Sequence, residues 1–326
     1  MTSAPDIDVV ITCYNEGAFI GDAVESVLAQ TVSHRVSSIT IADDGSNDET
    51  IAALNRINGT DPRIQILFGP GGGGISKQRN LALATGSAPF VAILDGDDIW
   101  TDEKLEKQLP SIENENGIGL VFSEYYMFPT NNRESLYHVH IPNFTNSNDL
   151  ARRYFLDSPT ILPSASLMRR SSLEAIGFFD EKVQVFEDTD FFFRLARVCR
   201  FAFIGEPLTL KRVHPDSITE SRRDLLSHHA FVAFRAGALE PSLLKYIPKR
   251  LSERARKLAS RAFIADDVRL AKLLLGAATR LSPLNHRAWI QLLVVILAPE
   301  LGHWYLKRYR SDQFQLFRSN AGRPDA

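Results

Sequence analysis

The chain has only two cysteines, Cys13 and Cys199, in 326 residues. That is too few for a disulfide framework, and neither has the close-spaced companions of a zinc site, so a reducing cytoplasm is expected. Also missing is any run of about 18 or more apolar residues, so no transmembrane helix is expected. The start, Met1 to Asp6, has no basic segment, and the first apolar stretch, Ile7 to Cys13, is short for a signal core; no export is expected. There is no excess of positive charge. A net charge of -2 argues against nucleic-acid binding by the chain as a whole. Internal repeats and low-complexity tracts are lacking too.

What the chain does have is enough apolar content, 44% against 23% charged, for a large core and an appendage. The small net charge hides an asymmetry. Residues 1–240 hold 21 Lys+Arg against 33 Asp+Glu, whereas residues 241–326 hold 16 against 6. The two balances, -12 and +10, suggest two parts facing different partners. We therefore expect a catalytic domain over 1–240 and a basic helical extension over 241–326. In the extension, Leu251, Ala255, Leu258 and Ala259 recur at helical spacing.

In the first part, β-branched apolar runs of strand length alternate with helical patterns. Strands are expected at Asp8–Thr12, Ser38–Ala42, Ile64–Phe68 and Phe90–Leu94, and helices at Phe19–Ala29, Glu49–Asn58 and Ser76–Thr85. This rhythm predicts an α/β fold with a mostly parallel sheet flanked by helices. Further strands are expected near Leu120–Phe128 and Ser164–Met168, in a less regular half read as the acceptor side. Ligands of such sheets gather at the carboxyl ends of the strands, so the residues after each strand carry the functional information.

Three polar clusters stand at those ends. Asp95-Gly96-Asp97-Asp98 packs three carboxylates into four residues. At about 4–5 Å, each ionised pair repels by on the order of 3–4 kcal/mol at an effective dielectric of 20. A counter-ion relieves this, and carboxylates are hard ligands suited to Mg²⁺ or Mn²⁺. The same residues also suit a solvated turn. Asp43-Asp44-Gly45-Ser46 suits a turn and a helix cap, which needs one side chain and leaves strand-end carboxylates to accept hydrogen bonds from a nucleobase. Tyr14-Asn15-Glu16-Gly17 follows the first strand.

Gly69-Pro70-Gly71-Gly72-Gly73-Gly74 matches the spacing of a dinucleotide fingerprint, with Asp95 further on. It follows the third strand rather than the first, and that acidic residue belongs to a cluster that would repel a dinucleotide. A mobile loop leading to Lys77 and Arg79, cations able to meet phosphate, accounts for it better. Glu187-Asp188-x-Asp190 opens a helix-like apolar run, where acidic residues are favoured by the helix dipole in any case. Of the histidines, His138-x-His140 reads as an exposed pair on a strand and His228-His229 as a helix surface. His214 lies two residues beyond Arg212, after an expected strand.

Taken as a set, these motifs resemble the family-2 glycosyltransferases of the GT-A fold. The resemblance covers roughly 6–220 and rests on Thr12-Cys13-Tyr14-Asn15-Glu16, Asp43-Asp44-Gly45-Ser46-x-Asp48, Arg79-Asn80-x-Ala82-x-Ala84-x-Gly86, Asp95-x-Asp97-Asp98, Gly177-Phe178-Phe179-Asp180 and Glu187-Asp188. The glycine run is longer than the family pattern leads one to expect. The resemblance implies inverting sugar transfer from a nucleotide-diphosphate sugar, with uracil the default base, to a glycan or lipid-linked acceptor hydroxyl. It implies Asp188, with Glu187, as general base. Tyr14 would stack on the nucleobase and Asp43 or Asp44 hydrogen-bond it. Asp95 and Asp97 would position ribose and metal, Asp97 or Asp98 would ligate Mn²⁺ or Mg²⁺, and His214 would assist the diphosphate. Polysaccharide or glycolipid synthesis would place the enzyme at the inner face of the cell membrane. For the basic extension, with Trp289–Ala298 followed by Trp304, Tyr305, Lys307, Arg308 and Arg310, two readings stand: peripheral contact with acidic lipid, or packing on the catalytic domain or a second subunit. The rival functions are a nicotinamide-dependent oxidoreductase built on the glycine run and a catalytically silent sugar-nucleotide-binding protein.

Overall fold

The structure, a computed structural model, describes residues 4–157, 159–214 and 225–302. It divides into two compact units, one of Met1–Met127 with His138–Arg212, the other of Phe128–Tyr137 with Val213–Ala326. The second unit thus begins before residue 240 and takes in a short segment from the middle of the chain. Trp304, Tyr305, Lys307, Arg308 and Arg310 lie outside the described residues.

The strands are β1 (Ile7–Cys13), β2 (Val36–Asp43), β3 (Ile64–Phe68), β4 (Phe90–Asp95), β5 (Ile99–Trp100), β6 (Ile118–Pro129), β7 (Tyr137–Val139), β8 (Ser166–Arg169) and β9 (Arg200–Val213). They form one sheet in the order β3-β2-β1-β4-β8-β6-β9-β5, with β7 beside β6. The first four run parallel; β8 is antiparallel to β4 and to β6. Every residue of β1 is buried, as a central parallel strand covered on both faces requires.

Three helices connect the parallel strands and the others follow. They are α1 (Ile20–Leu28), α2 (Asp48–Ile57), α3 (Ile75–Leu83), α4 (Lys104–Glu113), α5 (Leu150–Asp157), α6 (Arg170–Ile176) and α7 (Glu187–Ala196). In α1, Ile20, Ala23, Val24 and Val27 share one buried stripe and join Ile7, Val9 and Ile11 in the main core. Helix α2 starts where it does because the Asn47 side chain accepts the Thr50 N–H at 3.0 Å. The expected parallel strands and their helices are all present, with ends moved by a residue or two.

Strand register brings the motifs level. Thr12 on β1 pairs with Asp95 on β4, and Cys13 pairs with Asp43 on β2. Segments far apart in sequence therefore leave the sheet side by side, about 4.8 Å between neighbouring strands.

The second unit is helical over α8 (Leu225–Leu239), α9 (Ile247–Ile264), α10 (Val268–Leu281) and α11 (His286–Leu297). Ala259, Ala262, Phe263, Ala271, Leu275 and Val295 form its core. Asp267 and Asn285 cap α10 and α11 by accepting the N–H groups of Leu270 and Ala288. His229 is buried in α8, not on its surface as the sequence suggested. No helix among the described residues is long and apolar enough to cross a membrane.

Candidate active site

At the end of β4 the chain turns tightly: Gly96 N–H donates to the Thr12 carbonyl at 2.9 Å and Asp98 N–H to the Asp95 carbonyl at 3.0 Å. Residue 96 must be glycine, since a Cβ there would lie 2.4 Å from Glu16 Oε2 and 2.8 Å from the Thr12 carbonyl oxygen. Glu16 thereby joins Asp95, Asp97 and Asp98 in one carboxylate group. Burial, reinforced by the charges of Asp97, Asp95 and Asp98, pushes the Glu16 carboxyl well above its usual range. Asp98 is 1% exposed and is pushed up to about 8 by burial, with Lys211 opposing and Asp97 and Asp95 adding to the rise. For Asp95 burial also works against ionisation, but Arg79 and Lys211 outweigh it and hold the carboxyl below the usual range.

Lys211, on β9, is the partner that the sequence reading missed. Its ammonium stays protonated to higher pH than usual, because Asp98, Asp97 and Asp95 overcome the effect of burial. Beside it, Arg212 donates its N–H to Asp98 Oδ1 at 3.1 Å and its Nε–H to the Asp97 carbonyl at 3.0 Å, and pairs with Asp22 at 2.9 Å. Two cations more than a hundred residues downstream thus offset part of the repulsion that was assigned to a metal alone. They do not satisfy every oxygen. Glu16 Oε2 and Asp98 Oδ2 remain buried with no hydrogen-bond partner, and Asp97 is half-buried. Hard, partly unsatisfied oxygen donors beside a half-open carboxylate fit a Mg²⁺- or Mn²⁺-type ion.

Arg79, expected as a cation for phosphate, is engaged by carboxylates in this structure. It is 1% exposed, and its two terminal nitrogens donate to Asp95 Oδ1 at 2.7 Å and to Glu187 Oε1 at 2.9 Å. Its guanidinium also lies over the Phe179 ring, 5.1 Å from the centroid. It is a buried strut between the β4 carboxylates and the start of α7. There Phe186 occupies the left-handed region at φ 60°, an uncommon conformation for a bulky residue, and turns the chain into Glu187 and Asp188. Burial, then the neighbouring Asp188 charge, pushes Glu187 up to about 7 against the pull of Arg79. Asp188 is also raised, chiefly by burial; its Oδ1 accepts the N–H and hydroxyl of Thr189, and among the described residues these are the hydrogen bonds of its carboxylate.

The two aspartates of the second motif are engaged differently. Asp44 accepts the Gly73 N–H at 2.9 Å, the Gly74 N–H at 2.8 Å and the Gln78 amide at 2.7 Å. It is a clamp for the glycine loop, and those two amides are not aimed at a phosphate. The loop comes so close to Gly45 that a Cβ there would stand 2.5 Å from Gly71 Cα. Asp43 holds the Gly45 and Ser46 N–H groups with Oδ2, each at 3.1 Å, and keeps Oδ1 buried with no partner. Of the two aspartates, Asp43 has the acceptor left over. Asn15, at φ 57°, locks the β1 and β2 exits together by accepting from Asn47 N–H and donating to Ser46.

Thr12 points its hydroxyl to Asp95 at 3.5 Å, Tyr14 is 58% exposed, and Lys77 is exposed beside the loop. His214 falls in the second unit, one residue beyond β9, and is half-buried.

The sheet order sets the acidic strand ends and the acidic start of α7 on one α/β framework. The sequence pattern of Glycosyl transferase family 2 matches residues 8–177, just over half of the chain, and the chain belongs to that family. Relatives include the putative teichuronic acid biosynthesis glycosyltransferase TuaG of Bacillus subtilis, 30% identical over 158 residues, 48% of this chain and 62% of that one. Another is the Escherichia coli UDP-Glc:alpha-D-GlcNAc-diphosphoundecaprenol beta-1,3-glucosyltransferase WfgD, 32% identical over 125 residues, 38% of this chain and 47% of that one. The chain thus spans less than two thirds of either relative. Among solved structures, S. aureus TarS 1-349 in complex with UDP-GlcNAc matches 97% of this chain and 90% of its own with a TM-score of 0.59 at 17% identity. The mannosyltransferase PcManGT from Pyrobaculum calidifontis, in complex with GDP-Man and Mn²⁺, matches 94% and 89% with 0.57 at 16%. These likenesses establish the GT-A-type α/β fold.

Proposed function

We propose that the protein is an inverting, metal-dependent glycosyltransferase that moves a sugar from a nucleotide diphosphate, UDP by preference, to a hydroxyl of a glycan or lipid-linked acceptor. The observation that carries this reading is the buried guanidinium of Arg79, which ties Asp95 at the end of β4 to Glu187, the neighbour of Asp188. Donor-side acids and a candidate base are thereby held in one constellation. The roles by which the relatives are named, teichuronic acid biosynthesis and glucosyl transfer to a diphosphoundecaprenol-linked sugar, support cell-surface polysaccharide or glycolipid synthesis as the setting.

In this reading Tyr14 offers its exposed ring to the nucleobase and Asp43 Oδ1 accepts from it. Asp95 orients the ribose. Asp97, with Asp98 and Asp95 beside it, would hold the divalent ion, which supplies charge neutralisation for the departing diphosphate. Lys77 and Lys211 add positive charge to that end of the site. Asp188 Oδ2 takes the acceptor proton as the hydroxyl oxygen attacks the anomeric carbon opposite the leaving diphosphate, so the anomeric configuration inverts. A carboxylate raised by burial is a stronger base than one in water, which suits it to an alcohol.

The test is a panel of sugar nucleotides with Mn²⁺ or Mg²⁺, read by nucleoside-diphosphate release, then Asp188→Asn on the active donor. Asp188→Asn should keep donor affinity and lower turnover by about 10²-fold or more. Wild-type turnover in that variant, with the defect appearing in Glu187→Gln, would move the base by one residue. Saturable binding of NAD with none of UDP-sugars would replace the reading by an oxidoreductase.

A further inference from the structure

Outside the constellation just described, two imidazoles and a carboxylate converge. Glu124 lies on β6, His138 on the adjoining β7 and His140 just past it. One ligand atom from each of the three falls within 4.8 Å of the others. His138 Nε2 is 2.7 Å from Glu124 Oε2 and His140 Nδ1 is 3.3 Å from the same oxygen. The other carboxylate oxygen, Oε1, is fixed by the Ile141 N–H at 3.0 Å, so the acid is aimed by the backbone. With its side chain only 8% exposed, Glu124 is a buried ligand rather than a surface acid.

Hydrogen bonding does not account for the geometry. His140 is in hydrogen-bonding position, but His138 Nε2 is buried with no hydrogen-bond partner although the oxygen is at contact distance. The ring nitrogen lies within reach of the oxygen but out of line for an N–H hydrogen bond. A cation held by both atoms would satisfy the nitrogen as a ligand. Ligand atoms around a tetrahedral zinc, each about 2.0–2.1 Å from the ion, are about 3.3 Å apart; the His140–Glu124 separation of 3.3 Å matches this, and the His138–Glu124 separation of 2.7 Å is shorter. The two rings pack together, 3.9 Å between centroids.

We propose that Glu124, His138 and His140 form a metal site for a divalent transition ion of the zinc type. Two imidazoles and one carboxylate are a borderline N/O set, unlike the all-oxygen group at the end of β4, and favour zinc over magnesium. Side chains alternate along β6: Tyr126 shares the triad's face and contacts the His138 ring at 5.2 Å, whereas Tyr125, on the alternate face, interacts with Lys211. The ion therefore sits apart from the β4 carboxylates. Its role is to staple β7 and the backbone at Ile141 to β6, and with only three protein ligands one position stays open to water or another ligand.

The experiment uses the full chain, stripped with chelator and titrated with Zn²⁺ against a chromophoric competitor, with Co²⁺ as a spectroscopic substitute. One equivalent should bind, with Co²⁺ giving visible absorption of a low-coordinate site. His140→Ala and Glu124→Gln should weaken that equivalent by about 100-fold or more, as loss of a direct ligand exceeds the 10–100-fold cost of an outer partner. An Asp97→Asn/Asp98→Asn double variant should retain it. The His140 side chain is 74% exposed, so its removal leaves folding intact, to be verified by circular dichroism. Absence of a tight equivalent in the wild type would overturn the proposal. So would its loss in the aspartate variant with retention in His140→Ala.

Discussion

Replacing Arg79 by methionine tests whether the strut between β4 and α7 organises the site. Methionine keeps much of the volume and removes the charge from a side chain that is 1% exposed. Two contacts are lost, to Asp95 at 2.7 Å and Glu187 at 2.9 Å. Breaking a buried ion pair from one side typically costs about 3–5 kcal/mol, because the remaining charge has no compensation. The two carboxylates differ in how far they can escape that cost. Glu187 titrates at about 7, above the model-peptide value of 4.5, so its folded form favours the proton. A raised folded pKa contributes stability that is fully present below 4.5 and is lost as pH rises through about 7. Arg79 lowers this pKa, so its removal moves it higher still. At pH 5.5 Glu187 is protonated in both proteins and the damage is confined to Asp95, which Lys211 continues to stabilise. At pH 8.5 the wild type holds an ionised, paired Glu187 and the variant does not. The destabilisation should therefore be about 3 kcal/mol at the lower pH and grow by roughly 1 kcal/mol for each unit by which the Glu187 pKa rises further. Urea unfolding of both proteins at the two pH values, followed by circular dichroism, measures the difference. A cost under about 1 kcal/mol, or one that does not grow with pH, would refute the strut.

Gly96→Ala forces a Cβ to 2.8 Å from the Thr12 carbonyl, where backbone cannot yield cheaply; about 1–3 kcal/mol of stability and most of the Mn²⁺-dependent nucleotide affinity should go, read by calorimetric titration with UDP. Asp44→Ala frees the glycine loop without touching the base motif, so KM for the donor should rise by about tenfold or more while kcat changes less, and the reverse pattern would show that the clamp reports on chemistry. For the second unit, Trp289, Ile290, Leu293 and Leu297 are 46–75% exposed along α11. If this face and the basic balance of 241–326 dock on acidic membranes, co-sedimentation with anionic liposomes should fall with added salt and with Ile290→Asp/Leu297→Asp; no binding at low salt would favour a packed or oligomeric role.

The parallel half of the fold was legible because its signals are local. Alternating strand and helix patterns act over a few residues, and the order of acidic motifs at strand ends follows from that rhythm alone; the cap of α2, expected among Asp43–Ser46, is Asn47. The identity of the carboxylates at positions 95, 97, 98, 187 and 188 is likewise written in short motifs. What those motifs do to each other is a matter of distances between elements. Asp43 and Asp44 are neighbours in one dipeptide, yet strand twist and the close approach of the Gly71 backbone give one a spare oxygen and make the other a clamp. Arg79 reads as a phosphate-facing cation on its helix, and becomes a buried strut because α3 packs its face against Asp95 and Glu187. Lys211 has no local signature, and His138-x-His140 shows in the sequence as a pair without its partner Glu124. These partnerships arise because β7 folds back on β6 and β9 returns beside strands laid down much earlier, and electrostatic partnership depends on separation in space and is independent of separation along the chain.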